Sequence, residues 1–216
     1  MIAAVFDLDR TLLPKTTAER IFLRYLLERR LLGAGSLVKT VRAAIQGSNQ
    51  GSIAQQIRAE RPYLTGMHDA ALRLHGRRCA IERILPALSQ RGIDHLLWHR
   101  DQGHRIVLLS GSLPYVVEPL GDRLGVDHVI SSQMELSNRR LTGKLAAAHP
   151  YGAAKAELML DLAQEQQLDL DKSYCYADDH TDEPLLQLFE ESICVNPSDR
   201  LRVIAQSNGW RIESFT

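Results

Sequence analysis

The stretch Met1–Leu13, MIAAVFDLDRTLL, decides how this chain is read. Ile2 to Phe6 is an apolar run rich in strand formers, too short for a helix and closed by charge, which predicts a fully buried strand. Asp7, Asp9 and Thr11 then stand at its carboxyl end, where open α/β sheets bind their ligands. Asp7 and Asp9 are two residues apart, so extended backbone would turn both carboxylates to one side. A divalent cation would relieve their repulsion. One carboxylate at such a position can attack phosphorus, and a second can protonate the leaving oxygen and later deprotonate water. The plainer alternative is a strand-end turn in which Asp9 or Thr11 caps the next helix.

Outward from this stretch, 216 residues with 44% hydrophobic and 24% charged residues suit a soluble globular chain of one large domain or a core with a modest second one. No apolar stretch reaches the roughly 18 to 20 residues that span a bilayer. No basic leader precedes the apolar run, and Asp7 arrives too early for a signal peptide. Cys79, Cys175 and Cys194 are odd in number, far apart and without a C-x-x-C, which argues against a disulfide framework or a zinc site. The expected location is therefore the reducing cytoplasm. The formal net charge is zero, yet residues 14–85 carry 13 Lys/Arg against 5 Asp/Glu. That asymmetry predicts two parts with different tasks.

Residues 15–85 read as helical almost throughout. Thr16 or Thr17 followed by Glu19 starts a helix with Ile21, Phe22, Tyr25 and Leu26 at helical spacing. Further helices are expected over 37–45, 53–60 and 69–85, with a loop at 46–52. After them, Arg105 to Leu109, RIVLL, reads as a second buried strand ending in Ser110-Gly111-Ser112. A small hydroxyl followed by glycine lets backbone N–H groups approach phosphate oxygens, although S-G-S alone is only a turn. A helix is expected from Leu113 to Leu124, a hairpin over 135–144 around the turn S-N-R-R, and a helix over 151–166 carrying Lys155 near its start. The strand Ser173 to Tyr176 leads to Asp178, Asp179 and Asp182, three carboxylates that call for a cation or hydrogen-bond partners. Mg²⁺, octahedral with one or two protein carboxylates and several waters, suits them better than a transition metal at His180, which has no second histidine near it in sequence. Ser192 to Val195 is read as the last strand, followed by a helix that stops near Asn208-Gly209.

FDLDRTLL resembles the DxDxT motif of the haloacid dehalogenase-like phosphohydrolases, and the remaining motifs follow in that family's order. Ser110 sits where its second motif has a Ser or Thr, Lys155 where the third has a lysine, and ADDHTDEPLL is similar to its GDxxxD motif with Ala177 at the glycine position. CVNPSDRLRVIAQSNGW resembles the C-terminal segment of the phosphoserine-phosphatase-like branch. The resemblance implies an α/β fold with a doubly wound, Rossmann-like parallel sheet as core, residues 1–13 and 86–216, and an inserted all-helical cap, residues 14–85. It implies Asp7 as nucleophile, Asp9 as general acid/base, and Ser110 and Lys155 as catalytic partners. Thr11 and the Gly111 and Ser112 amides would face the phosphoryl group. Mg²⁺ would bind Asp7, Asp178 and the backbone carbonyl of Asp9, with Asp182 supporting Asp178. An Asp two residues after the nucleophile is the family's mark of phosphatases rather than dehalogenases.

For the substrate, the resemblance implies a small phosphomonoester, phosphoserine-like or histidinol-phosphate-like. In phosphoserine phosphatases a glutamate lies nine residues after the nucleophile; here that position is Thr16, with Glu19 one turn later. Arg58 is a candidate carboxylate or phosphate contact from the cap. The basic, apolar first cap helices keep phosphatidylglycerophosphate or lysophospholipid head groups as alternatives, and with them peripheral membrane contact. A phosphotransferase would share the same core residues, while a noncatalytic anion-binding module would need none of the carboxylates. Dispersed basic residues argue against nucleic acid, and the sequence does not indicate an oligomeric state.

Overall fold

Strand β1, Ala3–Asp7, lies at the middle of a six-stranded sheet in the computed structural model, which describes residues 1–32 and 60–216. The other strands are β2 (Arg105–Leu109), β3 (His128–Ile130), β4 (Met134–Ser137), β5 (Arg140–Leu145), β6 (Tyr174–Ala177), β7 (Glu191–Val195) and β8 (Arg211–Glu213). The large sheet runs β3-β2-β1-β6-β7-β8, and all its pairings are parallel. After β1 the chain builds one side of the sheet, then crosses to build the other. The carboxyl end of β1 is therefore the topological switch point, where a crevice opens beyond the strand ends. The expected doubly wound α/β fold is the observed one.

Alternation along the strands divides the core. Ala4 and Phe6 join Ile106, Leu108, Tyr176, Ile193 and Val195 on one face, while Val5 joins Val107, Leu109, Cys175 and Cys194 on the other. Helices α3 (Gln90–Asp101) and α4 (Pro114–Leu124) cover the first face through Leu96, Val116 and Leu120. Helices α5 (Ala153–Gln166), α6 (Glu183–Leu186) and α7 (Asp199–Asn208) cover the second through Met159, Leu185 and Leu201. The three cysteines are buried and free, behaving as small apolar residues.

The inserted segment, where described, is helical. Helix α1 (Ala18–Glu28) starts where Thr17 accepts a hydrogen bond from Arg20 N at 3.2 Å, and it buries Ala18, Phe22, Tyr25 and Leu26. Helix α2 (Asp69–Cys79) passes into a π turn, Ala80–Ile84, and a 3₁₀ turn, Leu85–Ala87, instead of remaining α to residue 85. Pro86 explains the change, because its ring has no N–H to continue the ladder. Both helices pack into the same apolar cluster as α3 and α4. The helices read over 37–45 and from Ile53, the loop at 46–52, and Arg58 lie outside the described residues.

The expected hairpin is β4–β5, turning through Asn138 and Arg139 with φ of 51° and 61°, as a two-residue I′ turn requires. Its outer strand is held by the residues ahead of α2: Arg61 N donates to Gly143 O at 2.6 Å, Gly66 N to Leu141 O at 2.8 Å and Leu141 N to Met67 O at 2.9 Å. Strand β8 is an addition to the sequence reading, which ended the sheet at β7. Its three residues are largely exposed and offer no apolar run to recognise. Among the described residues no helix is long and apolar enough to cross a membrane.

Candidate active site

Five short segments converge beyond the carboxyl end of β1. Arg10, with φ of 68°, turns the chain so that Arg10 N donates to Leu13 O at 2.9 Å and Leu13 N to Leu8 O at 2.8 Å. The turn folds Thr11 back onto the strand end. Its hydroxyl donates to Asp7 Oδ2 at 3.1 Å and lies 3.5 Å from Asp178 Oδ1. Thr11 is fully buried, and its hydroxyl lies between the two carboxylates.

Lys155 reaches in from the first turn of α5. Its Nζ lies 2.8 Å from Asp7 Oδ1 and 2.9 Å from Asp182 Oδ2, with all three side chains at most 6% exposed. Burial alone would lower the lysine pKa, but the charges of Asp182 and Asp7 outweigh it and hold the ammonium above its ordinary range. Asp182 therefore partners Lys155 directly. Asp178, at the end of β6, meets Arg10 Nε at 3.4 Å. Asp179 turns its carboxylate to Thr181 N at 3.0 Å and caps the short turn that positions Asp182.

Asp9 is gripped from two sides. Ala18 N, at the first turn of α1, donates to Oδ1 at 2.6 Å, and the Ser112 hydroxyl donates to Oδ2 at 2.6 Å. Ser112 N in turn points at Ser110 Oγ, 3.1 Å away. The Asp9 side chain thus ties the inserted segment to the turn after β2. The sequence-derived residues Asp7, Asp9, Thr11, Ser110, Gly111, Ser112, Lys155, Asp178 and Asp182 all belong to this one constellation.

The electrostatics are those of a site with too much negative charge. Among the described residues Asp7, Asp9, Asp178 and Asp182 face the cations Lys155 and Arg10, two fewer than the carboxylates when all four are ionised, and Arg10 also meets Asp179. Burial pushes Asp7 up to about 7, against the pull of Lys155, with Asp182 and Asp9 adding to the rise. Burial and the neighbouring Asp7 push Asp178 up to about 8. Burial also raises Asp9, offset in part by its bonds to Ser112 and Ala18. An oxygen-only donor set short of two positive charges fits a hard divalent cation. Among the described residues no group of three or more His, Cys, Asp or Glu side chains is arranged to hold a metal ion.

A second polar cluster lies next to Asp9 and was not legible in the sequence. Glu19 follows the Ala18 amide, accepts the Tyr63 hydroxyl at 2.5 Å and lies 2.6 Å from Arg61 Nε. Burial, with the Glu19 charge, raises the Tyr63 hydroxyl well above its ordinary pKa and keeps it a donor. Glu19 and Arg61 are 42 residues apart in sequence, and only the fold brings them together.

The sequence pattern of the haloacid dehalogenase-like hydrolases matches residues 4–187. The chain is 28% identical over 223 residues to the inhibition of morphological differentiation protein of Streptomyces azureus, covering 99% of this chain and 78% of that one. It is 27% identical over 218 residues to a phosphoserine phosphatase of Mycobacterium tuberculosis, covering 99% and 70%. With a histidinol-phosphatase of Neisseria meningitidis it shares 25% identity over 233 residues and 98% of each chain. Among solved structures, a protein with unknown function from Bordetella pertussis Tohama I matches with a TM-score of 0.82 and 24% identity, over 99% of this chain and 98% of that one; that likeness speaks for the fold. A pattern running from Ala4 to Gln187, on a sheet whose switch point gathers these carboxylates around one buried lysine, establishes that the chain belongs to the haloacid dehalogenase-like hydrolase family.

Proposed function

We propose that this hydrolase is a Mg²⁺-dependent phosphomonoesterase that works through an aspartyl-phosphate on Asp7 and acts on a small phosphorylated metabolite. The observation that carries the reading is the Lys155 ammonium bridging Asp7 and Asp182 while Thr11 ties Asp7 toward Asp178. This arrangement supports reading Asp7 as an oriented nucleophile beside cation ligands. In the first half-reaction a carboxylate oxygen of Asp7 attacks phosphorus in line; the Asp7 O–P bond forms, the ester P–O bond breaks, and the leaving oxygen takes a proton from Asp9. In the second, Asp9 removes a proton from water, whose oxygen bonds phosphorus as the Asp7 O–P bond breaks.

Burial raises the pKa of Asp9, the direction that favours a proton-donating carboxyl group. Ser112 permits both states of Asp9, because its hydroxyl can donate to the carboxylate or accept from the acid. Asp7 and Asp178, with the backbone carbonyl of Asp9, would hold Mg²⁺, which supplies charge stabilisation for the phosphoryl oxygens. Lys155, Ser110 and the Gly111 and Ser112 amides contribute to the same stabilisation.

In this reading residues 14–85 are a cap on the core of 1–13 and 86–216, and the described part of that segment meets the core at the Ala18–Asp9 bond. Glu19 is already paired with the Arg61 guanidinium and hydrogen-bonded by the Tyr63 hydroxyl, so it is not an open receptor for a substrate ammonium group. With Thr16 at the position where phosphoserine phosphatases carry glutamate, that favours a phosphomonoester other than phosphoserine. The names of the Mycobacterium and Neisseria relatives make phosphoserine and histidinol phosphate the first compounds to compare.

The test is phosphate release from a panel of phosphomonoesters that also includes sugar phosphates and phosphatidylglycerophosphate, with Mg²⁺ and with chelator. Chelator-sensitive release is expected from at least one compound. Asp7→Asn should abolish it while retaining the fold, since the amide keeps the shape and loses the nucleophile. Release that persists undiminished in Asp7→Asn would overturn the reading.

A further inference from the structure

Behind the Ser110–Ser112 turn lies a polar link that the chemistry above does not use. Ser132, fully buried just after β3, reaches the turn twice: its N–H donates to Ser112 O at 3.2 Å and its hydroxyl to Gly111 O at 2.6 Å. The same Oγ lies 3.0 Å from His149 Nδ1. A serine hydroxyl carries one proton and a carbonyl oxygen can only accept, so Ser132 donates to Gly111 and His149 Nδ1 must donate to Ser132. The link thereby fixes the protonation of one imidazole nitrogen. His149 also lies against the turn: a Cβ at Gly111 would stand 2.9 Å from both His149 Cε1 and Pro150 O. Three residues later, Gly152 O accepts from Lys155 N at 3.0 Å at the start of α5.

We propose that Ser132 and His149 are positioning residues that set the direction of the Ser112 amide in the phosphate cradle and couple the turn after β2 to the segment carrying Lys155. The physical reason is peptide planarity. In a trans peptide the Gly111 carbonyl and the Ser112 N–H point in opposite directions, so clamping the carbonyl from behind aims the N–H forward. The forward side is where Ser112 N meets Ser110 Oγ. An N–H already aimed to that side can be shared with or passed to a phosphoryl oxygen by a change of acceptor, without turning the peptide as charge develops. The pair acts through the turn. The functional half of this inference rests on reading the turn as the phosphate cradle; the geometric half does not.

The experiment is carried out on the full chain, with ¹⁵N-labelled wild type, Ser132→Ala and His149→Phe. It reads amide hydrogen exchange at Ser112, the affinity for inorganic phosphate, and kcat and KM for Mg²⁺-dependent hydrolysis of p-nitrophenyl phosphate. Loss of one clamping hydrogen bond should speed Ser112 exchange by about tenfold. Phosphate affinity should weaken and kcat fall by about tenfold or more, while amides in β1 and β6 keep their protection. The double variant should match Ser132→Ala, because the two residues act as one unit. Ser112 exchange and phosphate affinity within about twofold of wild type in a folded Ser132→Ala would overturn the proposal. If Ser132→Ala does not fold, His149→Phe is held to the same criteria. If wild type hydrolyses no phosphomonoester but Ser112 exchange still responds, the positioning stands and the phosphatase reading falls.

Discussion

At Lys155 burial and charge compete most directly. An ammonium buried between two carboxylates is not a strong stabiliser compared with an apolar residue, because the three groups lose their hydration. Removing the lysine alone is another matter. Lys155→Met leaves Asp7 and Asp182 buried beside Asp178 with, among the described residues, the Arg10 side chain, 58% exposed, as the remaining nearby cation. We expect a loss of about 3–5 kcal/mol in urea unfolding of the metal-free protein, together with loss of phosphate release. Unchanged stability would mean that the carboxylates are solvated or protonated in the folded state. The residues of this site were legible because each lies at a strand end or helix start within a short recognisable pattern. Glu19, Tyr63, Ser132 and His149 were not, since their partners come from distant segments and a lone Glu, Tyr, Ser or His carries no signal of what it will meet. Thr11 was legible in position but its bond to Asp7 was not: the sequence does not tell that Arg10 adopts a left-handed turn that folds the threonine inward.

At the level of elements, strands with apolar runs closed by polar or turn residues, such as RIVLL before S-G-S, were readable from their pattern. β8 was not, because a three-residue edge strand, RIE, gains its place from pairing with β7 and not from its own side chains. The hairpin was readable from its polar turn, and the structure adds a strained detail. Asn138 accepts a positive φ readily, whereas Arg139 at 61° pays for its Cβ. Arg139→Gly should therefore stabilise the protein by about 0.5–1 kcal/mol, seen as a higher melting temperature with unchanged kinetics. A lower melting temperature would show that the arginine side chain contributes more than its backbone conformation costs.

Across the whole molecule, one continuous apolar cluster runs from β1 through α3 and α4 to α1 and α2, so the segment that grips Asp9 shares its packing with the sheet. Within that cluster His99 is fully buried, with Nε2 2.8 Å from the Tyr176 hydroxyl and Nδ1 2.9 Å from His104 Nδ1. Burial, with His104 and His95 nearby, lowers its pKa to about 3. The unfolded chain takes up this proton below about 6.5 while the folded chain does not, so the contribution is intact above that pH and is lost as pH falls toward 3. At pH 4 the loss amounts to about 3 kcal/mol. Comparing urea unfolding of wild type and His99→Gln at pH 7 and pH 4 isolates it from the site carboxylates: the stability gap between the two proteins should shrink by about that amount. A gap independent of pH would mean that His99 titrates in the folded state as it does in solution.

The central claim is that Asp7 becomes phosphorylated during turnover. Its most direct test is an acid quench during hydrolysis of a phosphomonoester, followed by mass spectrometry of the peptide Met1–Arg10, which holds both Asp7 and Asp9. The account predicts a hydroxylamine-labile acyl phosphate on that peptide in wild type and none in Asp7→Asn. Phosphate release with no labelled peptide, or a label that survives in Asp7→Asn, would contradict it.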